Sequence, residues 1–257
     1  MNAKLTIATL GAVLLLSSTT VFGDYVGKEN FDYADGTLVG KDGGEGWNRA
    51  PSDKKSSWTL GFGSDIKIEN KKLVLNGAGV KRIYGFDEHP SAFNNKTPEN
   101  SRFFISMKMT VDDTSKWSGF SMYDFGTERV FMGWNGSKWM IQESQNNTKT
   151  TYGDTIPAIE AGKTVKIVGM HDYNTGKLKF WINPDGNSTE AKADIEHSYN
   201  ATQWNSNFRL ASAGRSTFDD VIVATTFDEA ANVPEPATML LLLGGTVGLI
   251  SRRRKRV

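Results

Sequence analysis

Residues 102–112 read Arg-Phe-Phe-Ile-Ser-Met-Lys-Met-Thr-Val-Asp. In an extended chain Phe103, Ile105, Met107, Met109 and Val111 point to one side, and Phe104, Ser106, Lys108 and Thr110 to the other. A period of two marks a strand with one face toward a core, and helical spacing scatters those residues around the axis. The pattern recurs. Ile66 and Ile68 alternate with polar residues, a polar Asn70-Lys71 turn follows, and Leu73 to Leu75 complete a hairpin signal. Lys163 to Met170 and Lys177 to Ile182 flank Tyr173-Asn174-Thr175-Gly176, a second hairpin. Phe120 to Phe125, Arg129 to Trp134 and Lys138 to Ile141 predict a meander, with Asn135-Gly136 as a turn. Phe208 to Ala211 and Phe218 to Thr226 read as closing strands. No amphipathic helix longer than two turns is evident. Many short strands with turns between them predict an all-β, two-sheet sandwich.

Composition narrows the chemistry. With 0 Cys there is no disulfide framework, thiolate metal site or cysteine nucleophile. His89, His171 and His197 lie far apart in the chain and match no metal-binding spacing. Charge is unevenly distributed. Residues 1–23 hold one base, Lys4, and residues 237–257 hold five, with no acid in either segment. The region between them, 24–236, keeps 24 of the 30 bases against all 29 acids, a net charge of −5. A mildly acidic body does not suit nucleic acid, which needs concentrated positive charge.

Both ends read as targeting segments. At the N-terminus, Lys4 precedes an apolar run from Leu5 to Leu16 and a small-residue stretch from Ser17 to Gly23. This predicts a signal peptide over residues 1–23, cut ahead of Asp24. The run is short for a membrane anchor, which takes roughly 20 apolar residues. At the C-terminus, Pro234-Glu235-Pro236 is followed by an apolar run over 237–251 and then Arg252, Arg253, Arg254, Lys255 and Arg256. The two prolines hold an extended backbone suited to a protease cleft. The apolar run predicts a short transmembrane helix, and the basic cluster anchors its cytoplasmic end.

These three elements, in this order at the end of the chain, resemble the PEP-CTERM sorting signal of Gram-negative bacteria. The resemblance covers residues 233–257. It implies that Pro234, Glu235 and Pro236 are recognition residues for an exosortase-type protease, with at least transient residence in the inner membrane. It also implies a destination in the cell envelope, cell surface or extracellular matrix, in company with exopolysaccharide and biofilm. The alternative is an ordinary C-terminal anchor that is never cut.

The body, 24–232, reads as one domain. Asn30 to Trp47, Lys177 to Gly186 and Arg215 to Phe227 resemble segments of concanavalin A-like, laminin-G-like jelly rolls of exported bacterial proteins. That resemblance implies a fold and a surface location rather than one activity. Glycosidases on such a fold use two carboxylates about 5 Å apart when they retain configuration. Asp194-Ile195-Glu196 is the nearest approach to such a run, and it reads as a solvated loop or edge. Asp124, Glu128 and Glu143 stand alone on predicted strands. No catalytic residue and no cofactor are therefore assigned, and the expected class is a non-enzymatic, polysaccharide-binding component. A polysaccharide-acting hydrolase or lyase is the alternative.

Tryptophan supplies the binding candidates. Trp134 and Trp139 flank the Asn135-Gly136 turn and are the candidate pair for one exposed, sugar-stacking edge, with burial in the core as the competing reading. Asp219 and Asp220 are a candidate oxygen-ligand pair for calcium, as the laminin-G resemblance implies, or else an ordinary acidic pair at an edge.

Overall fold

The computed structural model describes residues 27–49, 54–83, 102–124, 126–144, 149–199 and 207–231. The predicted signal helix over 1–23, the transmembrane run over 237–251 and the terminal basic cluster lie outside them. Among the described residues no helix is long and apolar enough to cross a membrane.

The protein is an all-β, jelly-roll-like sandwich. Its strands are β1 (Gly27–Glu29), β2 (Asn48–Arg49), β3 (Lys54–Lys55), β4 (Thr59–Phe62), β5 (Ile66–Glu69), β6 (Lys72–Ile83), β7 (Arg102–Val111) and β8 (Trp117–Asp124). They continue with β9 (Thr127–Asn135), β10 (Trp139–Glu143), β11 (Thr150–Tyr152), β12 (Thr164–Asp172), β13 (Lys177–Ile182), β14 (Ile195–Ser198) and β15 (Asn207–Ala224). One short helix follows, α1 (Phe227–Ala231).

Two long strands hold the layers together. The first half of β15 pairs with β8 on one side and the end of β6 on the other. Its second half pairs with β7 and the start of β6, and then β1 takes over that side. The changeover sits where the β6–β15 register shifts between Ser212 and Arg215. The extra residues there bend the strand from one layer into the other, as bulges do. The two closing strands expected from sequence are thus one 18-residue strand. Outward from β15, one layer runs β8, β9, β10, β11, and the other runs β7, β12, β13, β14. Both expected hairpins are present. The β5–β6 turn places Asn70 and Lys71 at φ 51° and 59°, the left-handed geometry of a two-residue hairpin loop.

The layers meet face to face. Phe120 of β8 and Trp139 of β10 each stack edge-on against Phe180 of β13, with centroids 6.4 and 6.0 Å apart. Phe103, Ile105, Met107, Met109 and Val111 all enter this core, as their alternation predicts. At the far edge a polar link joins the layers. His197 of β14 contacts Thr151 Oγ1 of β11 through Nδ1 at 2.8 Å and Glu143 Oε1 of β10 through Nε2 at 2.9 Å. A second, smaller core lies outside β7, β12 and β13. There Phe227, Ala230 and Ala231 of α1 cover Phe104, Met170 and Trp181.

Candidate ligand-binding shelf

The tryptophans sort by strand parity. Trp47, Trp58, Trp134, Trp139 and Trp181 are all buried, at 3% exposure or less. Trp134 pairs across strands with Ser118 and Trp139 with Trp134, so both indoles point into the core, 5.6 Å apart and edge to face. Their ring N–H groups donate to the backbone carbonyls of Thr114 and Pro157. The expectation of a shared exposed edge at Trp134 and Trp139 is therefore corrected: the Asn135-Gly136 turn reverses the chain without turning either ring outward. Trp204 lies outside the described residues. Trp117 is the one described tryptophan that stays partly exposed. It pairs with Asn135, one residue out of phase with the inward Ser118–Trp134 pair.

Around Trp117 the outer face of the β8–β10 layer forms a shallow depression of about 360 Å³. Beneath Phe131, one of its lining residues, lie two glycines. Gly119 of β8 and Gly133 of β9 face each other across the strands. A side chain at either would come within 2.4 Å of neighbouring backbone and about 3 Å of the Phe131 ring. The bare backbone lets Phe131 lie flat across both strands. Trp117 meets Phe131 at a right angle with centroids 5.9 Å apart, and Phe62 of β4 packs against Trp117 at 6.2 Å. The result is a shelf on the outer side of the layer, in which the buried Phe131 ring supports the partly exposed rings of Trp117 and Phe62.

A polar network borders the shelf. Glu128 of β9 accepts hydrogen bonds from Ser121 Oγ at 2.7 Å, Tyr123 OH at 3.2 Å and Arg209 Nη2 at 2.7 Å. Arg209 of β15 lies between two rings, its guanidinium carbon 5.3 Å from the centre of Phe62 and 5.2 Å from that of Tyr123. Lys81 of β6 sits directly opposite Arg209 across the strand pair, and its ammonium lies 4.0 Å over Tyr123. Burial keeps the Tyr123 hydroxyl protonated well above the usual tyrosine range. Gln142 and Asn135 complete the rim opposite. Rings beside amide and guanidinium groups suit a polyol that has flat apolar faces and many hydroxyls.

Glu128 is the one carboxylate among the described lining residues, and three donors already hold it. Glu143 is engaged by His197 at the sandwich edge. Asp194 caps β13 by accepting the Ile182 N–H at 2.6 Å, and Glu196 lies on the edge strand β14 near Lys179. Asp219 and Asp220 fall at a register shift of β15 against β7. Asp220 pairs with Lys108 at 2.6 Å, and Asp219 accepts the Asp220 N–H. Among the described residues no group of three or more acids or histidines is arranged to hold a metal ion. Pro234, Glu235, Pro236 and the bases Arg252 to Arg256 lie beyond the described residues.

Sequence reasoning singled out an aromatic pair whose rings are buried. The pair Gly119 and Gly133 is a signal for the Phe131 ring: glycine inside an alternating strand marks a place where something lies close over the backbone.

Comparison with known proteins adds to this geometry at two levels. Residues 232–255 match the PEP-CTERM protein-sorting motif, which marks a chain for exosortase-dependent export to the envelope. No curated protein matches the chain. Among solved structures, the chain is similar to the receptor-binding domain of a botulinum neurotoxin C/D mosaic serotype. The TM-score is 0.52 at 7% identity, covering 79% of this chain and 48% of that one. It is similar also to the binding domain of botulinum neurotoxin serotype D/C, with TM-score 0.53 at 9% identity, covering 81% and 50%. The chain thus spans about half the length of either domain, and at such identities the likeness establishes the fold.

Proposed function

We propose that this protein is a non-catalytic, polysaccharide-binding component of the bacterial envelope or extracellular matrix, and that the Trp117–Phe131 shelf is its binding surface. A cleaved signal peptide takes the chain across the inner membrane. The apolar run over 237–251 holds it there until an exosortase-type protease acts at Pro234-Glu235-Pro236. The observation that carries the binding role is the Trp117 ring, partly exposed against Phe131 and Phe62 in a depression it shares with Glu128, Arg209 and Gln142. Buried rings are expected in a sandwich core; core packing does not require Trp117 and Phe62 to stay partly exposed together on an outer face. The non-catalytic assignment draws support from the shelf's single carboxylate, because acid–base cleavage of a glycosidic bond takes a pair.

The test is retention of the purified protein, in mild detergent, on exopolysaccharide from its own host. Trp117→Ala is expected to abolish retention while costing under about 2 kcal/mol of stability, so that the variant stays folded at the assay temperature. Retention unchanged by that substitution, or release of shortened sugar chains during incubation, overturns the proposal.

A further inference from the structure

Two cations and one carboxylate meet at the end of the shelf, and the imbalance points to a ligand class. Lys81 and Arg209 are direct cross-strand neighbours on β6 and β15, a placement in which like charges repel. Both lie over the Tyr123 ring, Lys81 at 4.0 Å and Arg209 at 5.2 Å. Glu128 forms its ion pair with Arg209 and attracts Lys81 from farther away, one carboxylate against two cations. Lys81 makes no ion pair among the described residues, and burial together with the neighbouring guanidinium holds its ammonium below the usual lysine value. Tyrosine faces attract cations, but about 0.5–1 kcal/mol at a partly exposed site does not neutralise a charge. A positive charge is thus left over on the face of a body whose net charge is −5.

We infer that the shelf takes an acidic polysaccharide, with a sugar carboxylate seated between Lys81 and Arg209 and a further ring of the same chain against Trp117. This rests on the polysaccharide-binding reading and names the chemical class of its ligand. Arg209 and Trp117 line one depression, so a single oligosaccharide reaches both. The planar guanidinium, fixed by Glu128 and Ser121, is oriented before the ligand arrives. With Nη2 engaged and Nε buried, Arg209 offers Nη1 to a carboxylate, while Lys81 supplies a point charge beside it. The acidic body as a whole disfavours polyanions, so their attraction depends on local clusters of cations such as this one.

The experiment compares the full chain in detergent on immobilised polygalacturonate and alginate, each beside its carboxyl-reduced, neutral counterpart. The expected result is about tenfold tighter binding to the acidic polymers, an advantage that shrinks with salt because screened charges lose reach. Lys81→Gln reduces the advantage to about twofold or less, Lys81→Arg keeps it, and Trp117→Ala weakens both kinds of polymer. Equal, Trp117-dependent binding to acidic and neutral forms overturns the charge assignment and leaves the shelf standing. An advantage that survives Lys81→Gln comes from cations elsewhere in the chain and also overturns the assignment. Binding to none of the polymers overturns both readings. Thermal melts of each variant identify any that fails to fold.

Discussion

Glu29 and Arg82 form an ion pair at 2.5 Å with side chains only 1% and 0% exposed. The pair ties β1 to β6 and is satisfied on every side. Glu29 also accepts from the Phe31 N–H, Tyr33 OH and Trp58 Nε1. Arg82 donates in addition to the backbone carbonyls of Ser56 and Gly43, and its guanidinium lies 4.4 Å over Trp47. The Phe31 backbone, at φ 51°, is held in a conformation that bulky residues avoid. Its N–H rests on the Glu29 carboxylate and its ring stacks on Trp58. An exported chain with no disulfide thus has a buried polar clasp where its N-terminal segment joins the sandwich.

Removing one member of the clasp leaves the other buried and unpaired. Arg82→Met is expected to cost about 3–5 kcal/mol, whereas the double change with Glu29→Gln costs less than the two single changes together. Urea unfolding of the three variants measures this. Additive losses would show that the two groups act independently.

His171 makes stability depend on pH. It is fully buried among Phe103, Tyr173 and Tyr199, and burial pushes its pKa down from 6.5 to about 3, although Asp172 nearby opposes the shift. Below pH 6.5 the unfolded chain binds a proton that the folded protein refuses. The stabilisation is complete above that value and is lost as pH falls toward 3, by about 1.4 kcal/mol per unit. Between pH 7 and 5.5 the wild-type protein is expected to lose about 1 kcal/mol. The loss should be largely absent in His171→Leu, as read from urea midpoints at each pH.

Trp117 and Trp134 differ by parity, and their substitutions should part accordingly. Trp134→Ala empties a core site and is expected to cost about 3–5 kcal/mol. Trp117→Ala removes a partly exposed ring and should cost under about half of that, with its main effect on ligand retention. Thermal unfolding beside the retention assay separates them. Equal destabilisation would place Trp117 in the core rather than on a binding face.

The glycine pair beneath Phe131 makes its own prediction. A methyl at position 119 would stand 2.3 Å from the Met132 carbonyl oxygen and 3.1 Å from the Phe131 ring. Gly119→Ala is therefore expected to cost about 1–3 kcal/mol and to lift Phe131 off the sheet. Ligand retention should fall even at temperatures where the variant remains folded. Unchanged retention would show that the position of Phe131 does not matter for binding.

The helix α1 stands two residues before Val233, where the sorting segment begins. Phe227 packs on Trp181 with centroids 4.8 Å apart, and Lys166 Nζ donates to the Ala231 carbonyl. Phe227→Ala should release the helix and raise amide exchange over 227–231 without altering exchange in β7 or β12. Exchange that stays slow would show that the Lys166 contact alone holds the helix.

Period-two alternation, two-residue turns and the tripartite tail are local patterns, and they alone determined the all-β class, most strand positions and the sorting motif. Local patterns stop short where register begins. The chain itself marks Trp117 and Trp134 as equally aromatic, and a one-residue difference in pairing sends one outward and the other into the core. Ser212 to Arg215 carries no separate signal that two apparent strands are a single bent one. Lys81, Tyr123, Glu128 and Arg209 stand up to 128 positions apart, and only β15 running between β6 and β8 brings them onto one face. Side-chain chemistry is written residue by residue, but which groups meet depends on long-range strand pairing, and that is decided when the whole sandwich closes.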